Sequence, residues 1–142
     1  MVEKSLAYQE LGADGLLIIT PYYNKSNEEG IYQHLKEVAD AVDIPCILYN
    51  IPGRTGCSIS LRNIERLAVH PNVMGLKEAS GNVGFAADAA CFINDGFRMY
   101  SGEDALTVPL MSLGASGTIS VWANLQPREV HHMCAAFLDG DV

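Results

Sequence analysis

Positive charge is scarce in this sequence. Its 142 residues include 9 lysines and arginines against 17 aspartates and glutamates, which gives a formal net charge of -8. This balance removes the long-range attraction that nucleic acids and anionic membranes exert on basic proteins. The sequence also lacks a charged leader ahead of an apolar segment, and no apolar run approaches the roughly 20 residues of a membrane helix. We therefore expect a soluble protein that binds neither nucleic acid nor membrane.

Cysteines with metal-binding or redox spacing are missing as well. The four cysteines, at positions 46, 57, 91 and 134, are irregularly spaced and form no C-x-x-C motif. That spacing indicates neither a zinc site nor a disulfide framework, and it favours a reduced, cytoplasmic setting. His131 and Cys134 share a helix face, but two ligands are too few for a metal site. Glu103 and Asp104 could hold a cation, yet as the opening acids of a helix they already have a role.

Apolar segments alternate with helical patterns through the chain. Of its residues 49% are hydrophobic and 18% charged, enough for one domain with a substantial core. Buried strands are predicted near residues 16, 46, 74, 98 and 119, with helices between them. Such spacing demands parallel strands and right-handed crossovers, hence an α/β fold. Both an open doubly wound sheet and an eight-stranded barrel of about 250 residues fit the pattern. No G-x-G-x-x-G follows a strand, which weakens the dinucleotide-binding form of the open sheet.

Local signals predict where several helices begin. The expected N-terminal caps are Ser26 (in a capping box with Glu29), Ser60 and Asn82, and Pro127 is expected at the first position of the last helix. A helix over residues 104–113 contains Pro109, which should kink it or confine it to a last turn. Residues 50–56 are rich in turn formers and are predicted to be a loop.

Lys77 lies at the end of a short apolar strand, beside small residues. The two-residue period of a strand predicts Val73, Gly75 and Lys77 on one face, and Met74 and Leu76 on the other. The amine should then point wherever Val73 is buried. A lysine amine removed from water loses proton affinity and can attack a carbonyl carbon to form a Schiff base. The alternative is an ordinary surface lysine at a strand end.

Two other residues near strand ends could take part in chemistry, and a third is excluded from it. Tyr49 ends the neighbouring strand on the face that we assign to the interior, where a phenol could shuttle protons to an adduct on Lys77. It could equally be a core tyrosine. Arg54 could bind a substrate carboxylate, although a solvated loop arginine is commoner. Glu78 should project to the opposite face from Lys77, as a partner for a neighbouring helix, and has no place in the predicted mechanism.

Five motifs together resemble a known family. They are Thr20-Pro-Tyr-Tyr-Asn-Lys25, Tyr49-Asn-Ile-Pro-Gly-Arg-Thr-Gly56, Gly75-Leu-Lys-Glu-Ala-Ser-Gly81, Ser101-Gly-Glu-Asp104 and Gly114-Ala-Ser-Gly-Thr-Ile-Ser120. In order and spacing they resemble the 4-hydroxy-tetrahydrodipicolinate synthase (dihydrodipicolinate synthase) family, across essentially the whole chain. N-acetylneuraminate lyase and the 2-keto-3-deoxy sugar-acid aldolases share the tyrosine and the lysine. The Glu-Ala-Ser after Lys77 and the Arg-Thr-Gly after Pro52 are more similar to the synthase.

The resemblance implies a fold, a reaction and an assembly. The fold would be a (β/α)8 barrel, of which residues 1–142 form a single partial domain with about strands 4 to 8. The enzyme would be a lyase of lysine and diaminopimelate biosynthesis. It would condense pyruvate with L-aspartate 4-semialdehyde through a Schiff base, without a cofactor or a metal. The family forms homotetramers.

The resemblance also assigns roles to individual residues. Lys77 would form the Schiff base with pyruvate, and Tyr49 would donate and accept its protons. Tyr23 would complete a proton relay in the neighbouring subunit's site, and Arg54 would meet the semialdehyde carboxylate. The other implied contacts are the lining of the pyruvate pocket by Gly102 and the Ile119 backbone, and a contact of Tyr22 with lysine as a feedback inhibitor.

One family segment does not occur in this sequence. The family carries a Gly-Thr-Thr-Gly-Glu stretch on an earlier strand, whose threonines bind the pyruvate carboxylate. We therefore expect a fragment of the enzyme that alone is poorly soluble or associated and inactive, and a measurable rate of condensation would refute this. A sister aldolase or lyase and a non-catalytic interaction or structural piece stay open as alternatives. Borohydride trapping with pyruvate separates the enzymes from the inert piece.

Overall fold

Four parallel strands form the centre of the structure, a computed structural model that describes residues 1–141. The strands lie side by side in chain order, as β1 (Leu16–Ile19), β2 (Cys46–Asn50), β3 (Val73–Glu78) and β4 (Arg98–Ser101). The helices are α1 (Val2–Glu10), α2 (Glu28–Ala41), α3 (Pro52–Thr55), α4 (Leu61–Ala68), α5 (Val83–Ala89), α6 (Thr107–Ser112) and α7 (Pro127–Leu138). The predicted alternation of parallel strands and helices is confirmed.

The predicted fifth strand forms only one bridge in the described chain. Thr118 pairs with Ser101 in parallel, held by the bonds from Ser101 N to Gly117 O and from Ile119 N to Ser101 O, both 2.9 Å long. The backbone then turns into a 3-10 turn at Trp122–Asn124. The prediction of a strand at residues 118–121 was therefore wrong, because this segment runs beside β4 for too few residues.

Three local predictions about helices need correction. Asn27, not Ser26, caps α2, because the helix begins at Glu28 and the cap is the residue just before it. The side-chain oxygen of Asn27 accepts a hydrogen bond from the Gly30 amide at 2.8 Å. Residues 52–55 form the single turn α3 instead of a loop. Pro109 lies in the first turn of α6, because residues 104–106 form a separate 3-10 turn. There it displaces no intrahelical hydrogen bond. The caps at Ser60 and Asn82 are confirmed.

A bulge in β3 changes which residues share the Lys77 face. Cys46 pairs with Val73 and Ile47 with Gly75, so Met74 is an extra residue opposite β2. Val73 packs in the core, while 47% of Met74 is exposed on the other side of the sheet. The prediction that Lys77 shares a face with Val73 was therefore wrong, since an inserted residue reverses the alternation on one side of it.

The two faces of the sheet differ in their surroundings. One face packs against the helices around a core that includes Leu35, Leu48, Leu67, Leu76 and Phe97. A smaller cluster about Met99, Leu110 and Met111 extends that core toward α7. The other face is open, and Lys77 and Tyr49 belong to it because they alternate with Leu76 and Leu48. Within residues 1–141, no helix is both long and apolar enough to cross a membrane.

Candidate active site at the carboxyl ends of the strands

Lys77 and Tyr49 are neighbours on adjacent strands. They pair in the register of β2 and β3 and point to the open face of the sheet. The Lys77 Nζ lies 4.1 Å from the centroid of the Tyr49 ring, and only 7% of the lysine is exposed. The structure therefore brings together the two residues at the centre of the predicted chemistry and shelters the amine from water.

A cavity of about 540 Å³ lies at the carboxyl ends of the strands, and Lys77 itself is not among the residues that line it. Tyr49, Gly102 and Arg54 line it, so three of the predicted residues meet there. Its remaining walls come from Ile51, Gly53, residues 79–81, Glu103, Asp104 and Val121. The cavity has the size of a small-molecule site and the position where parallel α/β proteins place such sites.

Gly102 directly touches the stem of Lys77. A Cβ atom at this position would lie 2.8 Å from the Lys77 Cε and 2.8 Å from the Ala79 Cβ. Both distances are far shorter than a normal carbon contact of about 3.5 to 4.0 Å. Because Gly102 has no side chain, the stem of Lys77 can occupy this space.

Asp104, one of the two acidic residues that line the cavity, makes structural hydrogen bonds there. The carboxylate of Asp104 accepts a hydrogen bond from Ser120 Oγ and another from the Trp122 backbone amide at 3.0 Å. These bonds fasten the segment after Thr118 to the top of β4. Asp104 therefore has a structural role. Within residues 1–141, no cluster of three or more metal-binding side chains occurs.

Tyr22 and Tyr23 lie outside this cavity. They line a separate depression of about 500 Å³ with Lys25 and the residues of α3, including Arg54, which borders both spaces. Tyr22 is 66% exposed and Tyr23 92% exposed. Tyr23 also has a φ of 64°, a left-handed conformation that is uncommon for an aromatic residue. The structure does not bring either side chain to Lys77.

Ile119 is separated from the cavity as well. It lies lower on the open face, in an apolar groove of about 460 Å³ with Leu17, Ile47, Met74 and Tyr100. Its backbone N–H is used in the bridge to Ser101. The predicted contact of Ile119 with a pyruvate pocket stays a prediction.

Sequence reasoning missed two parts of the site. One is the wall formed by Ala79, Ser80 and Gly81, which follows Lys77 directly. Small residues after a strand signal such a wall, but they also signal an ordinary turn. The other is the buried contact between Glu78 and Asn50, at 2.7 Å. Glu78 was predicted to face a neighbouring helix, and the correction is that its partner is the adjacent strand.

The fold and the position of the cavity define a parallel α/β protein with its candidate site at the carboxyl ends of the strands. The sheet, the crossover helices and the cavity at the carboxyl ends of the strands all have the arrangement of that class. Solved structures agree. Dihydrodipicolinate synthase from Bacillus anthracis superimposes with a TM-score of 0.94 at 37% identity, covering 99% of this chain and 48% of that chain.

The chain belongs to the dihydrodipicolinate synthetase family, whose model matches residues 2–142. The 4-hydroxy-tetrahydrodipicolinate synthases of Pelobacter propionicus and Nitrosomonas eutropha are 45% and 48% identical to it over 141 residues. These matches cover 99% of this chain and 49% and 48% of the two relatives, so it spans about half their length. A pyruvate complex of chloride-inhibited dihydrodipicolinate synthase from Acinetobacter baumannii superimposes with a TM-score of 0.93 at 45% identity, covering 99% of this chain and 48% of that chain.

Proposed function

We propose that this chain carries the Schiff-base site for condensation of pyruvate with L-aspartate 4-semialdehyde, which gives 4-hydroxy-tetrahydrodipicolinate. The reaction belongs to lysine and diaminopimelate biosynthesis. One observation carries the proposal, namely that the Nζ of buried Lys77 lies 4.1 Å from the centroid of the Tyr49 ring, and that Tyr49 lines the cavity. Membership of the family and the pyruvate complex of the Acinetobacter baumannii relative support it.

The chemistry follows from an amine and a phenol side by side. The neutral amine of Lys77 attacks C2 of pyruvate, and the carbonyl oxygen leaves as water to give an imine. The protonated imine withdraws electrons from C3, which loses a proton to form an enamine. The enamine carbon then bonds to the aldehyde carbon of the second substrate, whose oxygen takes up a proton. The amino group of that substrate finally attacks C2 and closes the ring, and Lys77 leaves as the free amine. Tyr49 is the residue that we propose to move these protons, because its ring lies against the amine.

Arg54 is the proposed contact for the carboxylate of the semialdehyde. It borders the cavity at its outer end, in the turn α3 that directly follows the strand of Tyr49. A guanidinium binds a carboxylate through two parallel hydrogen bonds, which fixes the orientation of the substrate.

Tyr22 and Tyr23 are proposed to act at a contact between subunits of an oligomer. Both are more than half exposed and lie on the outer side of Arg54. Exposed aromatic residues beside each other are typical of interfaces. In this proposal Tyr23 reaches the site of a neighbouring subunit and Tyr22 contacts lysine as inhibitor.

Reduction with borohydride in the presence of pyruvate tests the proposed function. The Schiff base becomes a stable secondary amine, so the mass of the chain should rise by one reduced pyruvate. Lys77→Arg should abolish the increase, because a guanidinium cannot form the imine. An unchanged mass in the unsubstituted chain would favour a non-catalytic structural piece. Comparing aspartate semialdehyde with sugar-derived aldehydes as second substrate then separates the synthase from a sugar-acid aldolase.

A further inference from the structure

Glu78 is a buried carboxylate that the proposed reaction does not use. It follows Lys77 on β3 but points to the opposite side of the sheet, and only 2% of it is exposed. Its Oε2 accepts a hydrogen bond from Asn50 Nδ2 at 2.7 Å, and its Oε1 accepts one from the Ser80 amide at 2.6 Å. A buried charge is costly unless each oxygen has a partner, so this arrangement is specific.

Asn50 is fixed in one orientation by its other contacts. It is fully buried, and its Oδ1 accepts hydrogen bonds from the Ile59 backbone amide at 3.0 Å and from Ser58 Oγ at 3.2 Å. A backbone N–H can only donate, so the oxygen of Asn50 must face Ile59 and its NH2 must face Glu78. The side-chain amide cannot be reversed without losing both contacts.

The pair also lies where three strands end. Asn50 and Glu78 are register partners directly after the partners Tyr49 and Lys77. The Asn50 carbonyl accepts a bond from the Ala79 amide at 2.9 Å, and the Glu78 carbonyl accepts one from the Gly102 amide at 2.7 Å. Side chains and backbone of the pair therefore fasten the ends of β2, β3 and β4 to one another.

We propose that Asn50 and Glu78 are positioning residues, a buried hydrogen-bonded pair that holds Tyr49 and Lys77 in the relative placement needed for imine chemistry. The inference rests on the proposed function, since it assigns the pair to that reaction. Neither residue points into the cavity or touches a substrate. Their effect passes through the backbone, because each is the next residue after a reacting side chain.

The number of donors and acceptors at residues 50 and 78 predicts how single substitutions change the hydrogen bonds of the pair. With Asn50→Asp, two carboxylates face each other, and they repel unless one of them takes up a proton, which is unfavourable at neutral pH. With Glu78→Gln, one orientation of the new amide sets its NH2 against the NH2 of Asn50, and the other sets it against the Ser80 N–H. Each single variant thus leaves a clash between like groups in a buried place.

The double variant Asn50→Asp/Glu78→Gln should restore every bond. The amide of residue 78 would donate to the carboxylate at residue 50 and accept from the Ser80 N–H. The carboxylate would still accept from the Ile59 N–H and Ser58 Oγ. The net charge of the double variant equals that of the original chain. Asn and Asp have the same shape, as do Glu and Gln, so a purely steric explanation predicts neither the losses in the single variants nor the rescue.

Two readouts on the full chain test this, both taken well below the lowest Tm of the variants. The first is the rate of borohydride trapping of pyruvate, which should fall about tenfold or more in each single variant and return to within about threefold in the double variant. The second is competitive acetylation by acetic anhydride without pyruvate. Labelling of Lys77 relative to the other lysines should rise in the single variants and return in the double variant. Exposed Glu37, on α2, provides the matched control Glu37→Gln, which should change neither readout.

The outcomes separate this inference from the proposed function. If the original chain traps no pyruvate, the proposed function fails, and the acetylation pattern alone then decides for or against the pair. If the single variants lower Tm but leave trapping and Lys77 labelling unchanged, the pair is only structural and the inference is overturned. Failure of the double variant to restore the two readouts also overturns it.

Discussion

Replacement of Gly102 by alanine should displace Lys77 without removing it. The new Cβ would lie 2.8 Å from the Lys77 Cε, 3.0 Å from its Cγ and 2.8 Å from the Ala79 Cβ. Carbon atoms in contact prefer about 3.5 Å or more, so the lysine stem must move by about 0.7 Å. The Ala79 Cβ is fixed to the backbone and cannot swing aside, so relief of that contact shifts the backbone after Lys77 in addition to the lysine stem.

The magnitude follows from how imine formation depends on geometry. A misplacement of about 1 Å in a reacting group can cost about 100-fold in rate. For the smaller shift we expect trapping of pyruvate on Lys77 to slow by about 10- to 100-fold. Overpacking at a buried position should also lower the free energy of unfolding by about 1 to 3 kcal/mol.

The assay is the initial rate of borohydride trapping, with thermal unfolding measured on the same samples. Gly96→Ala is the matched control, because its added Cβ would meet nothing closer than the Asn94 Oδ1 at 3.4 Å. It should trap pyruvate at the original rate. Unchanged trapping in Gly102→Ala would refute the placement of Lys77 against Gly102, and equal loss in both variants would show a general effect of replacing glycine.

Three further predictions concern a proton, an ion pair and two thiols. Tyr49→Phe should slow borohydride trapping of pyruvate on Lys77 about 100-fold, since it removes the proposed proton carrier, and unchanged trapping would contradict that role. The Arg66 guanidinium, with Gln33, lowers the pKa of Glu29 to about 2. The stabilisation of the fold by ionised Glu29 is therefore complete above the unfolded pKa near 4.5 and is lost as pH falls toward 2. The difference in Tm between the original chain and Glu29→Gln should shrink as pH falls through that range. A constant difference would contradict this prediction. Burial raises the pKa of the Cys46 thiol to about 11, so at pH 8 a thiol reagent should modify exposed Cys91 well before Cys46.

The pairing of Lys77 with Tyr49 could be predicted because it depends on two short-range rules. Parallel strands place their carboxyl ends at one edge, and alternation assigns side chains to faces. Alternation was applied correctly to the end of β3, where Lys77, Leu76 and Gly75 follow the rule. It failed at Val73 because of the bulge at Met74. Gly75, a glycine inside the strand, was a signal that a bulge could occur here, but its position depends on the pairing with β2.

The Asn50–Glu78 contact could not be predicted because it joins residues 28 positions apart. Periodicity placed Glu78 on the correct side of the sheet but could not choose its partner among the groups there. The short pairing at Thr118 was missed for a related reason. Its apolar residues are suitable for a strand, while the length of a strand depends on the neighbour beside which it runs.

Crystals of the chain grown with pyruvate test the central claim most directly. We predict continuous electron density from the Lys77 Nζ to C2 of pyruvate, with the Tyr49 ring beside the new bond and the carboxylate in the cavity above. A free Lys77 amine, with pyruvate bound elsewhere or joined to Lys4, Lys25 or Lys36, would contradict the claim.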